Sequence, residues 1–180
     1  MYRLHKKYDI EKIKAEYQKV VDTIGWDNTK PAHFNSISLQ AEHPNTYHRP
    51  IDDDKFYVKY FKEEDKETFS RDNGLYTHLL IPKEWEMAKF IIENKLTRSR
   101  LLRISPQFCY DTHKDWTDRC QLGIVTNENC YYIEDGVSYN IPDDGYGYVT
   151  QTTNWHRAMN KSLVDRVNLV GCIDWAKPQG

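Results

Sequence analysis

The segment Arg119-Cys120-Gln121-Leu122-Gly123-Ile124-Val125-Thr126, followed by Tyr131-Tyr132-Ile133, Val137-Ser138-Tyr139-Asn140-Ile141 and Gly145-Tyr146-Gly147-Tyr148-Val149-Thr150, decides the fold. Each piece is short, carries β-branched and aromatic residues, and is bounded by Asn, Asp, Gly or Pro, which turn a chain. Leu101–Ile104 upstream and Val164–Asp174 downstream extend the pattern to at least six short strands. Strands at this spacing predict an antiparallel sandwich or barrel. In the last strand Val164, Arg166, Asn168 and Val170 share one face, while Val167, Leu169 and Ile173 share the other.

Before this half the sequence is helical and loop-rich. Asp9 is placed to cap a helix in which Ile10, Ile13, Tyr17, Val20, Val21 and Ile24 recur at helical spacing, and Gly25 ends it. Ile37 and Leu39 suggest a short strand between Pro31 and Gln40. Residues 42–74, rich in His, Pro, Asn and Asp, read as a long excursion with one possible strand at Phe56–Phe61, suited to a lid or substrate loop. Pro82 suits the first turn of a second helix, with Trp85, Ala88, Phe90, Ile91 and Ile92 as its apolar stripe. The division is therefore a support over 1–96 and a β core over 97–176 within a single domain, with the helices on the outside of the sheets.

Composition narrows the function classes. The chain has 180 residues, 25 Lys+Arg against 27 Asp+Glu and a formal charge of −2; its mean hydropathy is −0.82. Near-zero charge argues against a nucleic-acid or membrane-surface magnet. The aliphatic content is low, but 13 Tyr, 6 Phe and 5 Trp supply apolar mass with polar tips. Many rings fall in the strand-rich half, including Tyr110, Trp116, Tyr131, Tyr132, Tyr139, Tyr146, Tyr148 and Trp155, and are expected to fill the barrel. Cys109, Cys120, Cys130 and Cys172 form no CxxC pair and read as reduced, mostly buried thiols. With no apolar run long enough for a leader or a span, the expected location is the cytoplasm.

The candidate chemistry begins at His113-Lys114-Asp115. In extended chain, residues i and i+2 project to one side, so this His and Asp can reach one metal ion; a turn with solvated polar side chains has the same pattern. His156 and Arg166 favour the metal reading. Two His and one carboxylate around open positions are the facial triad of non-haem Fe(II) oxygenases. An Arg on an interior strand face needs an anion, and the far carboxylate of 2-oxoglutarate would supply one. Other candidates have plainer explanations. Arg98, Arg100 and Arg103 read as the solvated face of an outer strand, His33, His43, His48 and His78 as loop residues, and Gly145-Tyr146-Gly147-Tyr148 as a turn rather than a phosphate loop.

The residues Arg103-Ile104-Ser105-Pro106, His113-Lys114-Asp115, Arg119-Cys120-Gln121-Leu122-Gly123-Ile124-Val125, Gly136, Gly145, His156-Arg157-Ala158-Met159-Asn160 and Arg166-Val167-Asn168-Leu169 resemble the aspartyl/asparaginyl β-hydroxylase and cis-proline-hydroxylase group of Fe(II)/2-oxoglutarate oxygenases. The resemblance covers roughly residues 98–176. It implies a mainly β double-stranded β-helix (a cupin-like jelly roll) with two or more flanking N-terminal helices. It implies His113, Asp115 and His156 on Fe(II), Arg166 on the distal carboxylate of 2-oxoglutarate, and Arg119 near the proximal carboxylate. Gln121 stands where aspartyl hydroxylases carry His, and Gln121 and Asn168 complete the expected cosubstrate set.

The implied activity uses O2 and 2-oxoglutarate to hydroxylate an unactivated C–H of a free or peptidyl amino acid of the Pro, Asp or Asn type, releasing succinate and CO2. Three alternatives stay open: a cupin-like metal-binding or structural module without oxygenase activity, the same chemistry on a nucleobase, and a zinc hydrolase. The last lacks His-Glu-x-x-His and leaves Arg166 without a purpose.

Overall fold

The computed structural model describes residues 1–27, 35–43 and 75–173. Most of the expected excursion, with its possible strand at 56–61, lies outside the described residues, as do His33 and His48. The described elements are β1 (Tyr2–Lys7), α1 (Ile10–Ile24), β2 (Asn35–Ser38), β3 (Gln40–Ala41), β4 (His78–Leu79), α2 (Glu86–Glu93), β5 (Thr97–Ile104), β6 (Phe108–Cys109), β7 (Arg119–Val125), β8 (Cys130–Glu134), β9 (Val137–Tyr139), β10 (Tyr146–Thr150), β11 (His156–Asn160) and β12 (Arg166–Cys172). A six-stranded sheet runs in the order β1-β10-β7-β12-β5-β2 and a four-stranded sheet in the order β6-β11-β8-β9, with β3 and β4 paired separately. All pairings are antiparallel. The fold is the mainly β jelly roll expected from the sequence, with two helices among the described residues.

Alternation decides what each sheet face meets. Leu101 of β5, Cys120, Leu122 and Ile124 of β7, and Val167 and Leu169 of β12 join Ile13 and Val20 of α1 and Met87, Phe90 and Ile91 of α2 in one buried core. Each such aliphatic side chain contributes about 1.5–3 kcal/mol on burial. The opposite faces of the same strands carry Arg100, Arg119, Gln121, Arg166 and Asn168 into a cavity that Tyr132 of β8 and His156 of β11 also line. The main apolar core therefore lies between the large sheet and the helices, and the inside of the barrel is polar. This corrects the expectation that rings fill the barrel: of the eight rings named above, only Tyr132 and Tyr148 are buried, and Trp155 is 56% exposed.

Local signals hold at α1. Asp9 Oδ1 accepts the Lys12 N–H at 3.2 Å, and Gly25, at φ 72°, closes the helix. The second helix starts at Glu86, later than Pro82 predicts, because its cap comes from elsewhere in the fold. Glu16 of α1, itself buried, accepts the N–H groups of Glu86 at 2.7 Å and Met87 at 2.9 Å, one on each carboxylate oxygen. These are two of the amides that a helix start leaves without partners.

Four of the described strands, β1, β4, β6 and β11, have no counterpart in the sequence reading, and His78, read as a loop residue, lies in β4. β1 is an edge strand with mostly exposed side chains, so it shows no alternation. β6 has two residues, and β11 mixes polar and apolar residues on both faces. The Gly145 segment is indeed a turn: Gly145, at φ 83°, accepts the Tyr8 N–H at 2.8 Å, and a Cβ there would stand 2.3 Å from the Tyr8 carbonyl oxygen. The four cysteines are free thiols and only Cys109 is exposed. Among the described residues no helix is long and apolar enough to cross a membrane.

Removing the Glu16 cap leaves two helix amides without their acceptor. Glu16→Ala is expected to lower unfolding stability by about 1–3 kcal/mol, measured by urea denaturation, with Glu16→Gln costing less.

Candidate metal centre

The segment leading to Asp115 runs antiparallel beside β11 and is tied to it residue by residue. Tyr110 N–H donates to the Ala158 carbonyl at 2.9 Å, His113 and His156 exchange both backbone hydrogen bonds at 3.0 and 2.9 Å, and Asp115 N–H donates to the Thr152 carbonyl at 2.7 Å. The bridge between His113 and His156 puts the two imidazoles side by side, with ring centroids 4.3 Å apart. Asp115, two residues beyond His113, turns its carboxylate to the same side, as the i, i+2 spacing requires.

Hydrogen bonds fix the ring tautomers. His113 Nδ1 lies 2.8 Å from the Asp111 carbonyl oxygen, and His156 Nδ1 lies 3.0 Å from that of Asn154. A carbonyl only accepts, so each Nδ1 carries a proton, and in the neutral ring the lone pair is on Nε2. His113 Nε2 stands 3.7 Å from Asp115 Oδ1 and His156 Nε2 stands 3.8 Å from Asp115 Oδ2. One ligand atom from each residue lies within 4.8 Å of the others. Two oriented imidazoles and a carboxylate form a donor set that fits a divalent transition metal.

Protonation agrees with ligation. Burial pushes the Asp115 carboxyl up, but Arg119 above all, then His156, His113 and Arg100, outweigh it and hold the group below its ordinary value. Burial holds His156 below the usual imidazole range. At neutral pH the first is a carboxylate and the second is neutral. The His113 side chain is 47% exposed and that of His156 only 6%, so the cluster sits at the cavity mouth with one imidazole on the rim.

The cavity behind it measures about 110 Å³. Arg166 lines it and is 1% exposed. Its Nη1 donates to the Tyr131 carbonyl at 3.1 Å, its Nε is buried without a partner, and no described carboxylate pairs with it. Burial pushes this guanidinium down to about 10, so it remains charged at neutral pH. Asn168 stands beside it: one amide orientation donates to Gln121 Oε1 at 3.0 Å, and the reverse brings the amide oxygen 3.1 Å from Arg166 Nη2. Gln121 Nε2 donates to Thr150 Oγ1 at 3.1 Å. Arg119 reaches Asp115 Oδ2, 3.2 Å from its Nη2.

Two readings of arginines change. Arg98 and Arg100 are buried, not the solvated face of an outer strand, and Arg100 lines the cavity with Leu102 and Ile104. The period that sorts β12 sorts β5 as well: with Leu101 in the core, Arg100 must face the other way. Applied to β5, that rule would have found it. Thr152 and Tyr132, also on the cavity wall, carried no comparable signal.

No protein-family model matches the sequence, and no curated protein does. Solved structures do. A 2OG-Fe(II) oxygenase family oxidoreductase from Burkholderia pseudomallei aligns over 88% of this chain and 76% of its own at 11% identity, with a TM-score of 0.50. A prolyl-4-hydroxylase from Pseudomonas putida aligns over 95% and 90% at 10% identity and TM-score 0.48. A cupin domain from Bordetella pertussis Tohama I aligns over 43% and 80% at 16% identity and TM-score 0.37. At 11% identity the likeness to the Burkholderia protein is one of fold, and it agrees with the two antiparallel sheets described above.

A buried cation without a counter-ion is costly to the empty fold. Arg166→Met is therefore expected to leave the ligand-free protein at least as stable as wild type in urea denaturation. A drop of more than about 3 kcal/mol, the scale of a broken buried pair, would show that the arginine is held by the protein itself.

Proposed function

We propose that the protein is an Fe(II)- and 2-oxoglutarate-dependent dioxygenase that hydroxylates a C–H bond of a free or peptidyl amino acid. The observation that carries this reading is the conjunction, in one cavity, of the His113–Asp115–His156 cluster with a buried Arg166 that no described carboxylate pairs with. The cluster suits a divalent metal, and the arginine suits an anion that enters the same space. A 2-oxo dicarboxylate meets both needs, with its 2-oxo acid end toward the metal and its distal carboxylate toward Arg166. The jelly-roll fold, shared with an oxidoreductase of the 2OG-Fe(II) oxygenase family, supports the reading.

Each residue has a task that follows from its placement. His113, Asp115 and His156 would hold the metal on one side, leaving the other positions open. The Nδ1–H bonds to Asp111 and Asn154 keep both imidazoles aimed before anything binds, so little reorganisation is needed. Arg166 would anchor and orient the cosubstrate in the narrow cavity, with Asn168 and Gln121 bracing the wall. With Fe(II) and 2-oxoglutarate bound, the centre would supply O2 activation coupled to decarboxylation, yielding succinate, CO2 and a hydroxylated product. The half-exposed His113 marks the side from which substrate would approach.

The test is an anaerobic titration of Fe(II) and 2-oxoglutarate followed by an aerobic screen of free amino acids and short peptides. A visible charge-transfer band, succinate formation and gain of one oxygen by mass spectrometry are expected. His156→Ala is expected to abolish all three, and Arg166→Met to raise the 2-oxoglutarate requirement at least tenfold, about 1.4 kcal/mol. A wild-type protein that binds Fe(II) yet makes no succinate with any substrate would instead be a cupin-like metal-binding module.

A further inference from the structure

Two buried arginines lie on the cavity wall in different electrostatic situations. Arg166 has no carboxylate partner among the described residues, whereas Arg119, 2% exposed, lies against Asp115, with Nη2 3.2 Å from Oδ2. The other arm of Arg119 is also engaged. Nη1 donates to the Thr117 carbonyl at 3.1 Å, to Thr117 Oγ1 and to Cys172 Sγ at 3.1 Å. Thr117 is fastened in turn, because its carbonyl accepts the Thr152 hydroxyl at 2.6 Å. On the strand, Arg119 sits opposite Thr150 of β10 and Cys172 of β12, so its backbone is held from both sides. The guanidinium is thus fixed through Nη1, while its Nη2 stands in an ion pair with Asp115 Oδ2 without a hydrogen bond to it, on the oxygen that also lies 3.8 Å from His156 Nε2.

We infer that Arg119 is a positioning residue of the metal centre: by holding Asp115 Oδ2 it makes this carboxylate a one-oxygen ligand, and so keeps a coordination position open. This rests on the metal-centre reading above. A carboxylate with both oxygens free can wrap a divalent cation in bidentate fashion and take two positions. A guanidinium held in ion-pair contact with one oxygen competes with that mode by its charge and bulk. The remaining oxygen, Oδ1, faces His113 Nε2 at 3.7 Å. The two arginines then divide the work. Arg119 is spent on the protein's own carboxylate, and Arg166 is left for a carboxylate that enters. This differs from the role that the sequence resemblance implies for Arg119, contact with the cosubstrate itself.

The experiment loads wild type, Arg119→Gln and Thr117→Val with Mn(II) alone, without 2-oxoglutarate, and measures water-proton relaxivity per bound ion. Relaxivity reports the water molecules on open positions. If Arg119 prevents bidentate binding, Arg119→Gln lowers relaxivity by about a third, one of about three open positions on a facial triad. Thr117→Val, which loosens the guanidinium but keeps its charge, shifts it the same way by less, and decides the matter if Arg119→Gln does not fold. Unchanged relaxivity in the folded variants overturns the inference. So does unchanged relaxivity with weakened 2-oxoglutarate binding, which returns Arg119 to the cosubstrate. A wild-type protein that binds no Mn(II), Fe(II) or Co(II) overturns the metal centre itself and this inference with it.

Discussion

A β-strand sends successive side chains to opposite faces, and in β5, β7 and β12 that alternation turns Arg100, Arg119, Gln121, Arg166 and Asn168 into the cavity, with Leu102, Ile104 and Val170 beside them, and sends Leu101, Leu122, Ile124, Val167 and Leu169 to the core. The apolar face needs a cover, which α1 and α2 provide. The polar face needs a counterpart that can satisfy buried charge, and the four-stranded sheet provides it with imidazoles, backbone carbonyls and a pocket. A one-residue slip in any of these strands would exchange the two faces. The large sheet is therefore the wall between an apolar core and a charged interior, and the helices are part of what makes a polar barrel possible.

Charge inside the barrel is arranged with the same economy. Asp115 sits among Arg119, His156, His113 and Arg100, so its carboxylate stays ionised despite burial. Arg166 donates to the Tyr131 carbonyl and stands beside the Asn168 amide, with no carboxylate partner among the described residues. Among the described residues, one buried ion is compensated by charges of the chain and the other is not. The reciprocal backbone bonds of His113 and His156 give this arrangement rigidity, because the two imidazoles cannot separate without opening the pairing between their strands.

The fold class was readable because it depends on local spacing. Short β-branched and aromatic segments between turn residues announced the sheets, and Asp9 and Gly25 announced both ends of α1. The start of α2 was not readable, because it depends on Glu16, which lies far from it in sequence and reaches it only after both helices pack on the sheet. β1 and β11 were silent for a related reason. An edge strand and a strand that borders a polar site lack the clean alternation that marks a half-buried strand. Arg98 and Arg100 misled because a charged residue beside leucines reads as surface unless the opposite face is known to be core.

The sequence by itself determined the period-two patterning, the His-x-Asp pair with a later His, and an arginine on the inward face of the last strand, since these follow from residue types and spacing along one chain. Tertiary structure alone decided that His113 and His156 are cross-strand partners, that their Nε2 atoms face one carboxylate, and that Arg119 is spent on Asp115 while Arg166 is not. Those relations hold between residues distant in sequence. They are set by strand register and by which buried charges end up close enough to compensate each other, and no one-dimensional pattern carries that information.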